Sequence, residues 1–131
     1  MCGSGTTLVE SVLAGCFGLG LDTNPLSVLM SKTKAALLTI DPAELSEEYL
    51  HLRENLLRMQ PKQRVSKDQL PYFTSLSESD QKYISLWFSE PVLCDLDQII
   101  SEIDAISIES IRNLFTLALS NILRSVSWQK E

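Results

Sequence analysis

Apolar residues recur along this chain mainly at helical spacing, and the breaks between helical stretches fall at glycine, proline and capping residues. Leu8, Val9, Val12 and Leu13 predict a helix over 6–14 with a buried face, and Gly15 stands where a left-handed C-terminal cap belongs. Cys16-Phe17-Gly18-Leu19-Gly20-Leu21 then reads as a short buried strand that ends at Asp22. Asn24 and Pro25 supply the cap and first turn of a second helix reaching about Leu38. Leu26, Leu29, Met30, Lys32 and Thr33 carry that helix, whose apolar side is expected to meet a sheet. Further on, Asp41 and Glu44 form a capping box around Pro42. Leu45, Tyr49, Leu52, Leu56 and Met59 follow at spacings of four and three, which places them on one stripe.

The helical pattern fails over about 61–77, where Pro61, Pro71 and mixed polar residues predict a long loop with Tyr72 and Phe73 tethered to the core. It resumes over 79–88 with Tyr83, Ile84, Trp87 and Phe88 on the apolar side. Pro91 opens the next helix, in which Val92, Leu96, Ile99, Ile100 and Ile103 are spaced for burial. Ser107 is expected to cap a last helix to about 125, with Ile111, Phe115, Ala118 and Ile122 facing inward. The chain is therefore expected to be predominantly helical with one or two short strands. Residues 1–40 and 41–131 are expected to form two parts of one compact unit.

With 131 residues and 44% hydrophobic content the chain can build a core, which excludes a disordered protein. The net charge of −6 argues against a free-standing DNA binder, because neutralising phosphates requires clustered Lys and Arg. Arg53, Arg58, Lys62, Arg64 and Lys67 make a local basic run that reads as a solvated helix end and loop. Asp95, Asp97, Glu102, Asp104 and Glu109 keep their helix pair away from phosphates and turn it toward solvent or a basic partner. The three cysteines are widely spaced and lack histidine partners, so neither a disulfide framework nor a metal site is expected. Cys16 and Cys94 read as buried small hydrophobes. His51, the lone histidine, reads as a surface residue and supports no acid–base scheme. No apolar run is long enough for a bilayer and no secretory signal is visible, so a cytoplasmic location is expected.

The chemistry concentrates at the start of the chain. Gly3 and Gly5 allow a tight turn and close approach of a ligand to the backbone, and the amide-rich start of a helix follows. Asp22 comes close to the roughly 20 residues after the turn at which an acid can accept both hydroxyls of a ribose. Met-Cys-Gly-Ser-Gly-Thr-Thr-Leu-Val-Glu, followed by Gly-Leu-Asp-Thr-Asn-Pro-Leu-Ser-Val, resembles the S-adenosylmethionine-binding segment of amino-methyltransferases that act on DNA. The resemblance implies an α/β fold, a partial Rossmann-like methyltransferase fold. It places Gly3, Ser4, Gly5 and Thr6 at the methionine side of the cofactor, Asp22 at the ribose, and Thr23 and Asn24 beside the adenosine. A weaker similarity covers 114–124, which resembles a helix preceding the catalytic segment of large DNA methylase-like proteins.

The family also has a hydrophobic strand before the glycine turn and a catalytic Asp or Asn followed by Pro-Pro and an aromatic, which grips the target amine of an extruded base. This sequence starts inside the turn and contains no Pro-Pro, so no catalytic residue is assigned. The resemblance thus implies a cofactor-binding half of a methyltransferase, with residues 41–131 as a helical insertion or cover. DNA would be contacted by regions outside this chain, and a second copy or a complementing protein segment would complete the sheet. An RNA methyltransferase fragment and a non-catalytic helical interaction module remain the alternatives.

Overall fold

The computed structural model describes residues 3–58 and 66–128. Met59, Lys62 and Arg64, each named above, lie outside them. Among the described residues the regular elements are helical: α1 (Thr6–Leu13), α2 (Pro25–Leu37), α3 (Pro42–Arg58), α4 (Pro71–Ser75), α5 (Glu78–Trp87), α6 (Glu90–Asp104) and α7 (Glu109–Val126). A single 3₁₀ turn, Lys67–Gln69, precedes α4. Both it and α4 fall within the stretch expected to be loop, because Pro71 at the first helical position pre-sets a helix start.

Local sequence chemistry accounts for most boundaries. Asn24 Oδ1 accepts the Leu26 N–H at 2.9 Å and caps α2. Asp41 caps α3 through the Ala43 N–H at 2.8 Å. α1 ends as the Gly15 pattern predicts: Gly15 has φ +70°. Its N–H reaches the Val12 carbonyl at 3.0 Å and the Cys16 N–H reaches Ser11 at 2.8 Å, a Schellman closure. At α7 the expected cap is displaced: Ile108, not Ser107, is the flanking residue, and it makes no side-chain cap bond.

The main core gathers Leu52 of α3, Leu96 and Ile103 of α6, Ile106, and Ile111 and Leu119 of α7. On α7 the buried face runs through Ile111, Phe115 and Leu119, while Ala118 and Ile122 are exposed. A strict four-residue step carries this stripe, so the expected shift to 118 and 122 does not occur. On α3 Tyr49 is half exposed, whereas Leu45, Leu52 and Leu56 join the core. A smaller cluster of Leu70, Phe73 and Leu93 lies beside it, with Cys94 at its edge. Burial pushes the Cys94 thiol above its usual range, and Asp95 and Glu90 nearby add to the effect. Phe73 thus tethers the 66–75 region as expected, while Tyr72 is exposed.

The buried strand over 16–21 is not formed. This segment carries no ladder among the described residues, and Phe17, Leu19 and Leu21 are 109, 94 and 77% exposed. A strand is stabilised by pairing with a neighbour, and no described segment offers one. Cys16 is accordingly exposed instead of buried. The same physics leaves Val12 and Leu13 of α1 at the surface and Leu8 and Val9 only half buried. α1 packs on α2, and α2 in turn packs on α7, which joins the glycine end of the chain to the helical layer. The acidic helix pair also departs from the solvated surface expected of it. Asp97 is buried and accepts the Phe73 N–H at 2.9 Å, and Glu102 accepts from Asn55 at 2.8 Å.

Candidate functional site

Residues 3–24 fold back on themselves. Gly3 and Gly5 both have positive φ, +48° and +82°, so the turn uses backbone conformations that side chains disfavour. A Cβ on Gly5 would stand 2.7 Å from the Ser31 Cα, so packing demands glycine there as well. Around Gly3 the corresponding position has nothing within 4 Å, and the turn is open on that side.

Asp22 closes the turn. Its Oδ2 accepts the Gly3 N–H at 3.0 Å, nineteen residues away, and its Oδ1 accepts the Asn24 N–H at 3.0 Å. Ser4 Oγ and Thr6 Oγ1 lie 3.2 Å apart at the start of α1. Gly5 provides no side-chain cap to α1. Among the described residues the first amides of this helix therefore have neither an intrahelical acceptor nor a side-chain cap and can be met by an acceptor on a ligand. Gly3, Ser4, Gly5, Thr6, Asp22 and Asn24 are brought together, and Thr23 is exposed between the last two.

Two residues of this neighbourhood were not picked out by sequence reasoning. Ser31 Oγ lies 2.8 Å from the Ser27 carbonyl and 3.4 Å from that of Gly3, and the residue is buried. Lys34 Nζ donates to the Ser4 carbonyl at 3.0 Å. Their i, i+3 spacing places them on one face of α2, which is a readable signal. That this face meets the glycine turn is a tertiary fact.

A separate cavity of about 370 Å³ lies between α3 and the end of α6, lined by Glu47, Glu48, His51, Asn55, Glu102 and Ser107 among others. Its carboxylates disfavour a phosphate. His51 is exposed, as expected. Among the described residues no cluster of His, Cys, Asp or Glu could hold a metal ion, and no helix is long and apolar enough to cross a membrane.

The chain is similar to the type II methyltransferase M.MvaI of Kocuria varians, with 32% identity over 125 residues. The match covers 95% of this chain and 26% of that protein, so the chain spans about a quarter of the length of the curated relative it matches. No protein-family model matches the chain, and no solved structure matches it. The chain is thus related to a methyltransferase.

Proposed function

We propose that residues 3–24 form the S-adenosylmethionine-binding turn of a methyltransferase that modifies an exocyclic amine of adenine or cytosine in DNA. The observation that carries this reading is the bond from the Gly3 N–H to Asp22, which brings a glycine turn, an uncapped helix start and a carboxylate into one place. These groups fit the cofactor chemically. The open side of Gly3 admits a ligand, the helix start suits its carboxylate, and a carboxylate acceptor suits ribose hydroxyls. Gly3, Ser4, Gly5 and Thr6 would hold the methionine end, Asp22 the ribose, and Thr23 and Asn24 the adenosine.

When bound, S-adenosylmethionine supplies a methyl group on a sulfonium for in-line transfer to nitrogen. The protein's part in such a transfer is alignment and removal of charge from the attacking amine. This chain contributes the alignment, since its sequence contains no Pro-Pro-aromatic segment to grip the amine. In this reading the catalytic residues, the DNA contacts and the strands that would complete a Rossmann-like sheet around 16–21 come from other polypeptide segments.

Equilibrium dialysis of the full chain against labelled S-adenosylmethionine tests the reading. Asp22→Ala is expected to weaken binding by at least about tenfold, the loss of one or two charge-assisted hydrogen bonds. An unchanged affinity would remove Asp22 from the site. The second reading, a non-catalytic helical interaction module, is favoured by the helical character of all regular elements among the described residues. Absence of binding in the same dialysis would select it.

A further inference from the structure

The geometry behind the glycine turn points to a role for Lys34. In a trans peptide the C=O and the following N–H point in opposite directions, and no peptide among the described residues is cis. Lys34 Nζ draws the Ser4 carbonyl toward α2 at 3.0 Å, so the Gly5 N–H in the same peptide plane is directed away from α2. Ser31 acts on the preceding plane. Its Oγ is 3.4 Å from the Gly3 carbonyl, while its one hydroxyl hydrogen is better placed on the Ser27 carbonyl at 2.8 Å, so the hold on this plane is the weaker of the two. Neither the Ser4 nor the Gly5 amide donates to a backbone or side-chain acceptor among the described residues.

We propose that Lys34 is a positioning residue for the glycine turn: by holding the Ser4 carbonyl it keeps the Gly5 amide on the ligand side. The proposal rests on the cofactor reading above for what that amide meets, but the orientation is a property of the chain alone. Ser31 supplies the floor against which the turn is pressed. It is 2% exposed, and its Cα and Cβ lie 2.7 and 2.9 Å from where a Gly5 Cβ would be. Gly5, with φ +82° and no side chain, has little intrinsic preference to keep its peptide planes in place. An external hold is therefore required. Lys34 is exposed, so its ammonium could instead be fully hydrated, and its use on a carbonyl is specific to this turn.

The test compares the parent chain with Lys34→Met and Lys34→Arg, by calorimetric titration with S-adenosylmethionine and by the ¹H–¹⁵N resonances of Ser4 and Gly5 in the ligand-free chain. Lys34→Met is expected to shift or broaden the Gly5 resonance and to weaken binding by about tenfold, the worth of one charge-assisted hydrogen bond. Lys34→Arg, which retains a charged donor, is expected to restore both. A Gly5 resonance that stays in place in Lys34→Met overturns the proposal, whether affinity is kept or lost, since loss without movement would make Lys34 a direct ligand contact. If the parent chain binds no S-adenosylmethionine, the cofactor reading fails, and the Gly5 resonance alone decides whether Lys34 positions the turn.

Discussion

At the residue scale, Asp97 shows most clearly how position overrides residue type. It belongs to a run of acids that reads as a solvated surface, yet it is 5% exposed and bonded to the Phe73 N–H at 2.9 Å. The aspartate satisfies a backbone donor that α4, one short helical segment, cannot satisfy internally. Asp97→Ala would leave that buried N–H without this acceptor. The expected cost is about 1–3 kcal/mol, seen as a lower urea midpoint, with Asp97→Asn recovering part of it. A midpoint unchanged in the alanine variant would show that water replaces the carboxylate. Asp22 is the converse case: its separation from the glycines is readable, but its bond to Gly3, nineteen positions away, depends on how the chain between them returns.

At the element scale, α2 is the connector. One of its faces holds the glycine turn through Ser31 and Lys34, while Lys32 forms an ion pair with Glu109 at the start of α7. The hydrogen bond from Lys32, followed by its charge, holds the Glu109 carboxyl below the usual glutamate range. Because the folded-state value is depressed, this contribution is fully present above the unfolded-state pKa and fades as pH falls through the folded one. Both side chains are well exposed, so the pair affects local docking more than global stability. An NMR titration should find the Glu109 midpoint below the usual glutamate range. Lys32→Met should move it upward, and an unmoved midpoint would place the cause elsewhere. Helix limits were largely readable from caps and prolines. Packed faces were less so, because which side of a stripe is buried depends on the neighbour, as Leu119 replacing Ala118 shows.

At the scale of the whole molecule, the helical layer of α3 to α7 owns the two cores, and the glycine end leans on it through α2. The segment 16–21 leaves Phe17 and Leu19 at the surface, an apolar strip that joins no ladder among the described residues. The expected outcome is self-association that rises with concentration in sedimentation velocity and falls in the Phe17→Ser, Leu19→Ser double variant. Thermal stability should be nearly unchanged, because exposed side chains away from special features contribute within about 0.5 kcal/mol. A parent chain that sediments as a concentration-independent monomer would contradict this. The amino-acid sequence by itself determined the helical periodicity, the Asn24 and Asp41 caps, the Gly15 stop and the glycine turn with its distant acid. Each of these depends on dihedral preference, on spacing along the chain or on hydrogen bonds a few residues apart. Only the tertiary structure decided that Asp22 reaches Gly3, that Lys34 holds Ser4 and that Asp97 is buried. Those outcomes require segments remote in sequence to meet, and local preference carries no information about which remote partner is there.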